Sequence, residues 1–143
     1  MLEGYEQYML INCGCPRSLI GRSRLMTYLK SQGFEIENLE SKAPEVNLFK
    51  FGETIYNSKQ IVKLPIKIED TTGTLNTILI DVHVVDGEVP FLFGKDTGEL
   101  WEANLNMKKQ CLDLTFSENE ENTFPCPTIG SHYKIKLHDL QEW

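Results

Sequence analysis

Four cysteines, three histidines and a set of carboxylates are the side chains able to do chemistry in this chain of 143 residues. Cys13 and Cys15 are too close in sequence to pair comfortably with each other. With Cys126 and His132 they make up a set of four zinc-type ligands on paper. The Cys-x-Cys spacing is a weak signal, however, and no second close ligand pair accompanies it. The expectation is no metal and no cofactor. A nucleophilic role for Cys13 needs a partner histidine, and the spacing assigns none. His83 stands inside the apolar run TLNTILIDVHVV, where a hydrogen-bonded core or face histidine is the simpler reading than a base or ligand. No Ser/His/Asp order and no glycine-rich phosphate loop can be assigned. Asp96 or Thr97, just before GELWEANL, reads as a helix cap with Glu99 in the first turn, and Trp101 reads as core.

Charge narrows the possible partners. Lys and Arg number 14 against 21 Asp and Glu, for a formal net charge of −7. That balance lacks the basic footprint of a phosphate-backbone binder, so no nucleic acid partner is expected. No apolar run approaches the ~18 residues of a membrane span, and MLEGYEQYML has no basic leader region. No membrane partner is expected, and the chain reads as cytoplasmic or otherwise intracellular with free thiols. With 41% hydrophobic and 10% aromatic residues, and no repeat or linker, residues 1–143 form a single domain.

The elements that must position these groups are mostly strands. YEQYMLINC (5–13) is an apolar-weighted strand ending at Gly14 and Pro16. A short strand at Ser18–Ile20 precedes a helix from about Ser23 to Gly33, with Gly21 interrupting the pattern and Leu25, Met26 and Leu29 on its face. Residues 35–47 are polar, contain Pro44 and read as a loop. From Leu48 the period becomes two. Leu48–Phe51 and Ile61–Ile68 form a long hairpin joined through Gly52, Asn57 and Ser58. After the turn Asp70–Gly73, TLNTILIDVHVV is the strongest strand, apolar enough to be buried on both faces. VPFLFG is another short strand, followed by the helix near Asp96, the strand QCLDLTF, a solvated acidic loop SENEENT, and the closing strand SHYKIKL.

That order is similar to the retropepsin family, the single-domain aspartic proteases of retroviruses and retrotransposons. LINCGCPRSLIGR, FKFGETIYNSKQIVKLPIKI, IDVHVVDGEVPFLFGKDT and GSHYKIKL carry the resemblance, which covers about Leu10 to Leu137. It implies a mainly β fold: a retropepsin-like closed β-barrel with one or two short helices, a core of about 8–137, and a flap hairpin at about 49–61. It also implies a homodimer in which each copy gives one catalytic turn and the strand around Tyr133–Leu137 finds a pairing partner. The catalytic turn falls on Asn12, Cys13 and Gly14. Ile20, Gly52, Glu53, Thr54, Ile55, Val85 and Leu92 are the implied groove residues for an extended peptide or polyprotein segment.

In that family two carboxylates share a proton and activate water against a peptide bond. Here Asn12 stands where the resemblance calls for Asp. An amide cannot serve as general base, so the chain as written is expected not to cleave peptides. Cys13 replaces a hydroxyl residue and weakens the expected bond between copies. Asp96-Thr97-Gly98 is literally the family's triplet, but too little chain follows it for a flap and a second apolar turn. Two functions follow from the resemblance: an aspartic endopeptidase domain inactive at Asn12, or a pseudoprotease, a domesticated retroelement relic that dimerises or binds peptide.

Overall fold

The computed structural model describes residues 7–12, 14–45, 48–51, 53–117 and 120–140. Strand β1 (Gln7–Ile11) leads through a turn into β2 (Leu19–Gly21) and helix α1 (Arg22–Ser31). A 3-10 turn at Ile36–Asn38 and a two-residue strand β3 (Ser41–Lys42) occupy the segment expected to be loop. The hairpin follows as β4 (Leu48–Phe51) and β5 (Thr54–Glu69), then β6 (Leu75–Val85), β7 (Leu92–Phe93) and helix α2 (Lys95–Leu100). Five further strands complete the order: β8 (Asn104–Asn106), β9 (Cys111–Ser117), β10 (Glu120–Pro125), β11 (Thr128–Ile129) and β12 (His132–Leu137). Among the described residues the protein is mainly β with two short helices. No helix among the described residues is long and apolar enough to cross a membrane.

The main sheet runs β11-β12-β1-β7-β2-β6-β5-β3, with β4 paired to β5 alone. The expected closed barrel is not formed. The path starts at β11 and ends at β3, and among the described residues an isolated bridge between Lys67 and His138 brings the long β5 back towards the end of β12. The outer edge of Tyr133–Leu137 is covered only at its start, where β11 meets His132 and Tyr133. β12 pairs antiparallel with β1 on one side and with β11 on the other. The smaller sheet β10-β9-β8 includes part of the tract expected to be a solvated loop. Glu120 and Glu121 are exposed on β10 while Phe124 is buried, so a polar outer face hid the strand.

Alternation explains most of the core. In β5 and β6 the even positions Val62, Leu64, Ile66, Ile68, Ile80, Val82 and Val84 point inward and are buried. β6 is not buried on both faces throughout, because Leu75 and Leu79 on its odd face are 41% and 58% exposed. Only the end beside β2, from Val82 to Val85, is covered on both sides. α1 buries Leu25, Tyr28 and Leu29 at helical spacing and leaves Met26 exposed. Pro65 is tolerated mid-strand because its neighbours at odd positions direct their backbone groups away from β6. Lys63 N–H donates to Glu40 O, His138 N–H donates to Lys67 O, and the Tyr28 hydroxyl donates to Pro65 O. Against this core the smaller sheet sets an aromatic chain, Phe93–Trp101–Phe116–Phe124, with centroid distances of 5.1 to 5.9 Å.

The turn between β5 and β6 is held by Asp70. Its Oδ1 accepts from the backbone N–H groups of Thr72 (2.9 Å) and Thr74 (3.0 Å) and from the Thr72 hydroxyl. Asn76 and Asn122 donate to its Oδ2, and so tie the hairpin end to β10. The Thr72 hydroxyl bond is the largest influence holding the Asp70 carboxyl down to about 2, with the other donors adding to it against desolvation. A depressed carboxylate contributes stability above its unfolded value near 3.9 and loses it as pH falls through the folded value. The melting temperatures of the unaltered chain and Asp70→Asn are therefore expected to differ most above pH 4 and converge towards pH 2. A gap that stays constant over that interval would exclude this role for Asp70.

Candidate functional site

β7 lies between β1 and β2, parallel to the first (Leu10 opposite Leu92, Ile11 opposite Phe93) and antiparallel to the second (Leu19 opposite Leu92). The chain from Asn12 to Ser18 must therefore pass over the end of β7. Backbone bonds anchor it there. Asn12 N–H donates to Phe93 O at 3.0 Å, Cys15 N–H to Asn12 O at 3.1 Å, and Lys95 N–H to Cys15 O at 2.8 Å. At the crown, Asn12 Oδ1 accepts the Gly14 N–H at 3.1 Å, which orients the amide and leaves Asn12 half-buried beside an exposed Gly14. Cys13 and Gly52 lie outside the described residues.

The triplet Asp96-Thr97-Gly98 sits in α2 and does structural work for this turn. The expectation that Asp96 or Thr97 caps the helix needs correction: Gly94 is the N-cap and no side chain caps it. Asp96 Oδ1 instead accepts the Thr97 N–H at 2.7 Å and, across the fold, the Ser18 N–H at 2.8 Å. The buried Ser18 hydroxyl meets Thr97 Oγ1 at 2.6 Å and accepts the Gly94 N–H at 2.9 Å. These two residues thus fix the far end of the 12–18 segment on α2. Gly94 permits the approach, because a Cβ there would lie 2.3 Å from the Arg17 carbonyl carbon.

The groove residues divide. Val85 and Leu92 share a small buried cluster with Cys15, Leu19 and Val89 under the turn. Ile20 does not join them, since alternation sends it into the main core and places Leu19 there instead. Glu53, Thr54 and Ile55 are exposed at the hairpin tip, Ile55 by 65%. Tyr56, one position on, packs on the small cluster and so connects hairpin to floor. Its alternation with Ile55 was the available signal for that role. The hairpin is more continuous than expected: Asn57 and Ser58 lie within β5, with a register shift between Ser58 and Gln60. Ser58 Oγ is 2.8 Å from His83 Nδ1. Burial is the main influence holding His83 below its ordinary value, opposed by Asp96.

Cys15 and Cys126 are buried in different clusters, and burial raises both thiols, Cys126 to about 12. Thiols so raised are poor nucleophiles. Among the described residues no group of three or more His, Cys, Asp or Glu side chains is arranged to hold a metal ion. What the site offers is an amide oriented by the Gly14 N–H, an apolar cluster beside it and a hairpin whose Tyr56 packs on that cluster. Compared with protein-family models, curated proteins and solved structures, the chain matches none.

Proposed function

We propose that the chain is one protomer of a retropepsin-type aspartic endopeptidase for polyprotein processing, silenced at its catalytic position. The observation carrying this reading is the Asn12–Gly14 turn, held over β7 with the Asn12 side chain oriented by the Gly14 N–H. In a homodimer two such turns face one water molecule. An aspartate pair there shares one proton: the ionised member takes a proton from the water and the other polarises the scissile carbonyl. A pair of Asn12 amides holds the same water but takes no proton from it. Because that loss spares the groove, peptide capture without hydrolysis is the function left to the unaltered chain, which favours the pseudoprotease reading of its present role.

The hairpin supports a peptide groove. Tyr56 turns one face of the hairpin to the floor, Leu48 and Ile55 on the opposite face are 61% and 65% exposed, and β4 has no strand partner besides β5 among the described residues. An extended peptide lying between the hairpin and the floor adds a strand to such an edge. Hydrogen exchange with and without a peptide inhibitor of aspartic proteases tests this. Slowed exchange in 49–61 on adding inhibitor is the expected result. A segment already fully protected without inhibitor, and unchanged by it, would remove the groove.

A further inference from the structure

The two edges of β6 are covered unevenly. On one side β5 pairs with it from Leu75 to Val85. On the other, β2 reaches only His83, Val84 and Val85. The His83 N–H donates to Ser18 O on that second side. Outward-facing positions alternate along a strand, so Leu75, Thr77, Leu79 and Asp81 turn their backbone N–H and C=O groups the same way. Among the described residues those groups meet no backbone partner. We infer that this open edge is a self-association surface, on which β6 of a second copy pairs antiparallel with Thr77 opposite Thr77.

Backbone chemistry and sequence together select that occupant. A row of unpaired N–H and C=O groups recognises an extended strand, and proteins that must avoid one guard the edge with a lysine, a proline or a bulge. Residues 75–80, Leu-Asn-Thr-Ile-Leu-Ile, contain no charge, proline or glycine. The register shift in this hairpin lies far along it, between Ser58 and Gln60 of β5. Two copies that each carry a formal charge of −7 repel, so an uncharged stretch is where a twin is best tolerated. Asp81, next on the same edge, is paired with Lys63 at 3.1 Å. Leu75, Thr77 and Leu79 are all exposed.

Two-fold symmetry and β2 fix the register. With Thr77 on the axis, Leu75 of each copy lies opposite Leu79 of the other, which pairs leucine with leucine on the outer face. Positions 75, 77 and 79 then exchange about six backbone hydrogen bonds. An axis at Ile78 would bring Gly73 opposite His83, where Leu19 already pairs, and would set Leu75 against Asp81. An axis at Asn76 would leave each Leu79 facing Gly73 instead of a leucine. The contact uses no residue of the Asn12–Gly14 turn or of the hairpin tip, so it stands apart from the turn-to-turn dimer of the proposed protease.

Disulfide trapping reads this register. Hydrogen-bonded antiparallel partners have Cα atoms about 5.5 Å apart, within the span of a disulfide. Thr77→Cys is expected to cross-link between copies under mild oxidation, above the background that the native thiols give in the unaltered chain. Leu75→Cys and Leu79→Cys are each expected to stay at background alone, since like residues lie four positions or about 14 Å out of step, and to cross-link when mixed. All three positions are exposed, so these variants keep the fold. In sedimentation, the mass of the unaltered chain is expected to rise with concentration, and Thr77→Lys/Leu79→Lys to weaken that association roughly tenfold or more. Thr77→Cys at background, or Leu75→Cys and Leu79→Cys cross-linking as readily alone as mixed, would overturn the pairing. Association that survives both lysines unchanged would overturn it too, and would leave the turn-to-turn dimer standing.

Discussion

Asn12→Asp is expected to turn a chain with no measurable peptidase activity into an acid-optimum endopeptidase. Restoring a general base is worth about 10²–10⁴-fold in rate, so a fluorogenic peptide assay should separate the two proteins clearly. The existing geometry suits the change. The carboxylate replaces an amide of the same shape, and one oxygen inherits the Gly14 N–H that Asn12 Oδ1 now accepts. Two such carboxylates titrate as a coupled pair, so activity should rise and fall around an acidic optimum. In the proposed homodimer, with one turn from each copy, the rate should increase with the square of protein concentration wherever monomer predominates. Peptide cleavage by the unaltered chain would displace the site. If Asp96→Asn then abolished that cleavage, the triplet in α2 would be the true centre. The bonds from Ser18 and Thr97 to Asp96 Oδ1 argue that it is not.

The second large effect is structural. Gly94→Ala is expected to cost about 3 kcal/mol, the upper part of the usual range for forced backbone shifts. The new methyl would lie 2.3 to 2.6 Å from the Arg17 carbonyl carbon and oxygen and the Ser18 nitrogen, all backbone atoms that no rotamer change can move. Relief requires parting α2 from the turn, which also breaks the Gly94 N–H bond to the Ser18 hydroxyl. Gly98→Ala is the control on the same helix. Its Cβ would meet nothing closer than a Phe93 ring carbon at 3.6 Å, an ordinary contact. Removing a helical glycine there should be neutral or stabilising by up to about 1 kcal/mol. Urea unfolding of both variants distinguishes them, and equal midpoints would contradict the tight contact at Gly94.

Periodicity made the long strands legible. TLNTILIDVHVV and SHYKIKL announce β6 and β12 through β-branched residues and alternation, and the helix from Arg22 follows from Leu25 and Leu29 at helical spacing. Gly21 separates β2 from α1 as the sequence implies, and it is also a close crossing, where a Cβ would lie 2.3 Å from Gly87 O. β10 escaped notice because Glu120, Glu121 and Asn122 carry polar groups on a strand whose inward contribution is Phe124. The turn at Asn12 could be located from chain order, whereas its attachment to Ser18, Asp96 and Thr97 could not. No local rule predicts a hydrogen bond between residues 78 positions apart.

That long separation also sets a schedule for the growing polypeptide. While a ribosome is still making the first half of the chain, the segment after β1 has no acceptor at Phe93 and no donor from Lys95. Ser18 likewise waits for Gly94, Asp96 and Thr97 to be translated. The central position between β1 and β2 stays vacant until β7 emerges, because β7 is the strand that joins them. Nascent chains truncated before residue 94 therefore cannot assemble the turn, whatever else they have folded.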